Sequence, residues 1–145
     1  MMKRKVKLAK SSALNALPDF RRAAWQRLEA AEMLSDKGLE LDAMYLSGYV
    51  AECALKAVLV KRTPQRSRYL LLKKFRGQQG HSLDFLKNEL ERCRAILPEN
   101  VNAALRRLAT WSTDLRYKAG KRRKEDAILF LTSARAIVDW AERML

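Results

Sequence analysis

The chain has 145 residues, of which 48% are hydrophobic, and a formal net charge of +14. That is one ordinary domain, long enough to bury a core and too apolar to stay disordered. With a single His and two Cys there is no metal-ligand cluster of recognisable spacing, and no apolar run is read as a membrane span or secretory signal. The expectation is a cytoplasmic protein without metal or cofactor.

Residues 1–18 lack acids, and Met1–Lys10 holds five basic residues. This stretch reads as a basic, flexible N-terminal arm, which leaves 19–145 as the folded domain. The first helix is expected from Asp19, an N-cap after Pro18, to about Lys37. Phe20, Ala24, Leu28, Ala31 and Leu34 form its inner stripe, and Gly38 ends it. The second runs from near Asp42 to Arg62, where Thr63-Pro64 breaks it. Within it Gly48, Ala51 and Ala54 are small and three apart, so a neighbouring backbone could approach closely. Tyr45, Tyr49, Glu52 and Lys56 form a second row on the same helix.

Arg66–Phe75 reads as a short extra helix or an ordered loop, and Gly77-Gln-Gln-Gly80 as flexible. The third helix starts after Ser82 and runs through Leu83, Leu86, Leu90, Cys93 and Leu97 until Pro98 stops it. The fourth starts after Asn100, with Val101, Leu105, Leu108, Trp111 and Leu115 inward. The fifth spans about Glu125 to Met144. The short links between the last three helices favour antiparallel neighbours. Cys53 and Cys93 fall among apolar neighbours and read as buried free thiols.

Charge is clustered. Lys61–Arg76 carries seven bases and Arg116–Lys124 six, and neither segment contains an acid. Together with the N-terminal five they make eighteen of the thirty Lys and Arg, and the remaining twelve face sixteen acids. Such clusters attract polyanions, which points to RNA or a nucleotide as partner; charge alone also allows attraction to a membrane surface, but no membrane partner is expected.

Three landmarks carry a family resemblance: Tyr45-Leu-Ser-Gly-Tyr-Val-Ala-Glu-Cys-Ala-Leu-Lys-Ala-Val-Leu59, the His81-Ser-Leu83 start of the third helix, and Trp111-Ser-Thr-Asp-Leu-Arg-Tyr117. They resemble the corresponding helices of HEPN domains, named for a nucleotide-binding domain shared by higher eukaryotes and prokaryotes. The resemblance implies an all-α, antiparallel bundle of four to five helices, commonly a homodimer. It also implies a role in a prokaryotic defence or toxin–antitoxin-type system. Many members are metal-independent RNases, and others pair with a nucleotidyltransferase-type partner as non-catalytic subunits.

The family's RNase motif is an Arg followed four to six residues later by His. Arg116 takes the place of that arginine, but Gly120, Lys121 and Arg122 stand where the His would be. Arg76 and His81 have the spacing in a different position and are the alternative catalytic pair. On this reading Arg116 is the functional centre, and His81 packs over the first turn of the third helix as a staple. If Glu52 is buried it needs a partner, and Arg116 is the candidate. Tyr45, Tyr49, Glu52, Lys56, Asp114 and Tyr117 would then share one polar site with Arg116. Arg122, Arg123 and Lys124 would contact phosphates.

Overall fold

The computed structural model describes residues 2–145, with the side chains of residue 13 and of residues 15–145. Among these residues the chain forms six α-helices, three short 3-10 turns and no strand: α1 (Met2–Asp36), α2 (Glu40–Arg62), α3 (Arg68–Phe75), α4 (Leu83–Arg92), α5 (Glu99–Arg107) and α6 (Lys124–Met144). The 3-10 turns are Gln65–Ser67, Gln78–His81 and Thr113–Tyr117.

α2 is the axis of the bundle. It packs against α1, α4 and α6, and α5 packs on α6. Val50, Ala51, Leu55, Val58, Leu59 and Val60 are almost wholly inaccessible, so this helix is apolar nearly all round, as a central helix must be. Its 23 residues are long and apolar enough to cross a bilayer, which corrects the sequence reading. However, 78% of the apolar window is buried inside the fold, so that surface is already used by the core. At the surface Arg21 meets Glu142 with two hydrogen bonds, Trp25 donates to the same carboxylate, and Glu32 pairs with Arg135. All three contacts clamp α1 to α6.

Three boundaries differ from the sequence expectation by more than a helical turn. α1 starts at Met2, not Asp19. The stretch ahead of Pro18 has no Gly and is rich in Ala, Leu and Lys, the strongest helix formers, and Ala13 and Ala16 are buried. The side chains at 1–12 and 14 lie outside the described residues, so the expected mobility of the arm does too. α4 stops at Arg92, five residues before Leu97. Arg94 adopts φ 58°, and Ala95 N–H reaches back to Leu90 O at 3.0 Å. That left-handed closure ends the helix without Gly or Pro. α5 ends at Arg107, and the expected extension to Tyr117 is a loop followed by a 3-10 turn.

The link from Thr63 to Ser82 is built, not loose. It contains α3, which inserts Leu71 and Phe75 into the core. Gly77-Gln-Gln-Gly80, read as flexible, largely belongs to the 3-10 turn that delivers His81. Cys53 and Cys93 are free thiols packed against the core, and both keep a little exposure.

Candidate functional site

Glu52 is the centre of the polar arrangement on α2. It is 4% exposed, and both its carboxylate oxygens are engaged. Oε2 accepts from Lys56 Nζ at 3.0 Å, one helical turn on. Oε1 lies 2.9 Å from His81 Nδ1, 29 residues away in sequence. The expected Glu52–Arg116 pair is not formed, and the expected staple role of His81 is replaced by this bond. Arg116 stays at the surface because the segment bearing it leaves the helix early and points its guanidinium over the Tyr117 ring, 4.8 Å from the centroid.

Local sequence explains how His81 gets there. Gly80 crosses directly over the end of α3: a Cβ at this position would stand 1.9 Å from the Phe75 carbonyl oxygen. Only a residue without a side chain can pass. Next, Ser82 caps α4 by accepting from Phe85 N–H at 3.2 Å. His81 is therefore held between a tight crossing and a capped helix, with its side chain 45% exposed.

Lys56 is 5% exposed. Its ammonium lies over the rings of Phe75 and Phe20, 5.0 and 5.7 Å from their centroids, and the two rings meet edge to face at 5.8 Å. Cation–π attraction and one carboxylate thus hold a desolvated charge. Lys56 is held inside the fold by these partners.

The aromatic row is continuous. Tyr49 meets Tyr45 and Trp111 edge to face, each at 5.1 Å, and the His81 ring at 6.2 Å. The Tyr45 and Tyr49 hydroxyls are 3.3 Å apart. Burial above all, then the Tyr45 hydroxyl and the Glu52 charge, push the Tyr49 phenol well above its ordinary range, against the pull of Arg116. Tyr49 thus keeps its proton and is no base. The opposing influence of Arg116 also places its charge within electrostatic reach of this cluster.

Gly48 has a use the sequence did not reveal. A Cβ there would sit 1.9 Å from the Trp111 indole. The close approach is made by a side chain, not a second backbone. Trp111 Nε1 donates to Tyr45 O at 2.9 Å, which ties the loop after α5 to α2. This docking also explains why α5 ends early: the chain must leave the helix for Trp111 to drop against α2.

Beside His81 lies a cleft of about 220 Å³, walled by Trp111, Leu105 and Leu108 and rimmed by Asp84 and Asp114. Asp114 is thus brought near His81. Tyr117 is 75% exposed. Arg76 caps α3 through its own N–H to Lys73 O, and its side chain is exposed without a hydrogen bond to His81.

The basic segments are partly occupied. Arg62 donates to Cys93 O, Arg68 to Thr63 O, and Lys74 pairs with Glu89. Lys61, Arg66, Lys73 and Arg76 keep their charges for solvent or a ligand. In the second segment Arg123 pairs with Asp126, just beyond the acid-free run, whereas Arg122 bonds only the Lys121 carbonyl. Lys124 opens α6. Among the described residues no group of His, Cys, Asp and Glu could hold a metal ion.

No curated protein and no solved structure matches the chain. The HEPN domain model matches residues 17–144. With nearly the whole helical bundle covered, the chain belongs to the HEPN domain family, whose role is in general terms nucleotide- or RNA-related.

Proposed function

We propose that this protein binds RNA through its exposed basic residues and presents His81 to the bound strand. The observation that carries this reading is the Glu52–His81 bond of 2.9 Å. A buried carboxylate that engages Nδ1 of a half-exposed imidazole leaves Nε2 as the nitrogen open to a ligand. Lys61, Arg66, Lys73 and Arg76 precede His81 in the chain, and Arg116 and Arg122 follow the cleft, so phosphate-binding charge flanks it on both sides in sequence. Anisotropy titration of a short fluorescent RNA tests the reading. Affinity should fall linearly on a log–log salt plot, with a slope of about −0.7 per phosphate contacted on a single strand. Absence of binding at low salt would sink it.

The dyad favours a second reading, metal-independent RNA cleavage. Here Nε2 of His81 takes the proton of a ribose 2′-OH, and the 2′-oxygen forms a bond to phosphorus. The bond from phosphorus to the 5′-oxygen breaks, and the leaving oxygen takes a proton from the imidazolium. The products are a 2′,3′-cyclic phosphate and a 5′-hydroxyl end. Arg116 would neutralise charge on the phosphate. Cleavage that persists in EDTA and disappears in His81→Ala supports this reading. Intact RNA bound at saturation would leave binding alone.

A further inference from the structure

We propose that Lys56 is a positioning residue for His81: acting through Glu52, it fixes which imidazole nitrogen carries the proton. The functional meaning of this relay rests on the reading that His81 faces bound RNA, but the relay itself can be measured without RNA.

The argument starts from the two ends of one carboxylate. Glu52 Oε2 is held by Lys56 at 3.0 Å and Oε1 by His81 at 2.9 Å. Lys56 cannot swing away, because Phe20 from α1 and Phe75 from α3 enclose its ammonium. The carboxylate plane is thereby set, and an ionised carboxylate can only accept. Nδ1 must carry the hydrogen, and Nε2 is left as the acceptor.

Charge balance points the same way. Lys56 already compensates Glu52, so the buried pair does not require a cationic imidazole. Without the ammonium, Glu52 would be a buried, uncompensated carboxylate, which is costly. Its remaining partner would be His81, and nothing would hold Oε2 or the plane of the carboxylate. The other ionisable groups around the site are Tyr49 on α2, whose ring meets His81, Asp84 on α4 and Asp114 in the turn after α5, which line the same cleft, Arg116, whose charge acts on Tyr49, and Cys53 on α2, beside Glu52. None of them touches Oε2 of Glu52, so Lys56 has no evident substitute. The relay also ties the state of His81 to the seating of α3, because Phe75 forms both the cage wall and the carbonyl beneath Gly80.

His81 is the only histidine in the chain, so its ring nitrogens can be read without assignment. The experiment is nitrogen-15 NMR of the full chain on the parent, Lys56→Met and Lys56→Arg, which reads the tautomer of the neutral ring. The parent should show one neutral tautomer, with the hydrogen on Nδ1. In Lys56→Met that single tautomer should give way to a mixture of both, and Lys56→Arg should restore much of the parent behaviour. Should Lys56→Met fail to fold, Phe75→Leu removes one wall of the cage and should mix the tautomers in the same direction. A parent ring with its hydrogen on Nε2, or folded Lys56→Met and Phe75→Leu variants with the parent's tautomer, would overturn the proposal. Failure of RNA to perturb the ring would instead count against the functional reading and leave the relay standing.

Discussion

His81 and Glu52 are 29 residues apart, yet their side chains meet at 2.9 Å between the central helix and the turn that opens α4. This contact joins the most buried acid of α2 to a half-exposed imidazole at the edge of a cleft. Here a buried acid of the bundle reaches the surface beside the basic segments.

Delivery of His81 depends on Gly80. Gly80→Ala should destabilise the fold by about 1–3 kcal/mol, the usual range for overpacking a close contact, because its Cβ would collide with the Phe75 backbone. Backbone cannot yield as a flexible side chain can. Thermal unfolding checks this: a variant as stable as the parent would show that the crossing is looser than described.

Cys53 should be a sluggish nucleophile. Burial pushes its thiol up to about 11, with the Glu52 charge adding and Lys56 and Arg27 opposing. The thiolate is the reactive form, so alkylation of Cys53 at pH 7.5 should be slow in the native protein. It should speed up as pH approaches 11 or when denaturant is added. Mass spectrometry after a timed iodoacetamide pulse reads this, and rapid native labelling of Cys53 would contradict it.

The clamp between α1 and α6 should weaken in acid. The hydrogen bond from Arg21, helped by Trp25 and opposed by partial burial, holds the Glu142 carboxyl below its ordinary range. A folded value below the unfolded one means that the stabilisation is complete above the unfolded value. It is lost as pH falls through the folded one. The pair lies at the surface, so the effect is small. Glu142→Gln should be slightly less stable than the parent at pH 7, and the gap should close towards pH 3. A gap that is independent of pH would show that packing, not charge, is lost.

Much of the fold was legible in the sequence. The apolar stripes of α2, α4 and α6, the Ser82 cap and the stop at Thr63-Pro64 follow from period and capping chemistry. Helix ends were less legible where tertiary contacts decide them: α4 closes at Arg94 in a left-handed conformation that no Gly announces, and α5 ends so that Trp111 can reach Gly48. Of the site, Tyr45, Tyr49, Glu52 and Lys56 were recognisable as one row of α2. The partner of Glu52 was not, because it comes from a distant turn. A Gly before His81 reads as flexibility, and only the fold shows that Gly80 is a tight crossing over Phe75. The choice of Arg116 over His81 followed motif position, which carries no information about which side chain a buried carboxylate will meet.

The measurement that tests the central claim most directly is the response of the lone imidazole to RNA. A nitrogen-15-labelled sample is titrated with a short single-stranded RNA at low salt, and salt is then raised. The His81 ring signals should shift in proportion to binding and return towards their free positions as salt displaces the strand. Neutralising Arg122, Arg123 and Lys124 should weaken the binding without altering the shifted ring positions at saturation. No binding at low salt, or binding that leaves the His81 signals unmoved, would contradict the account.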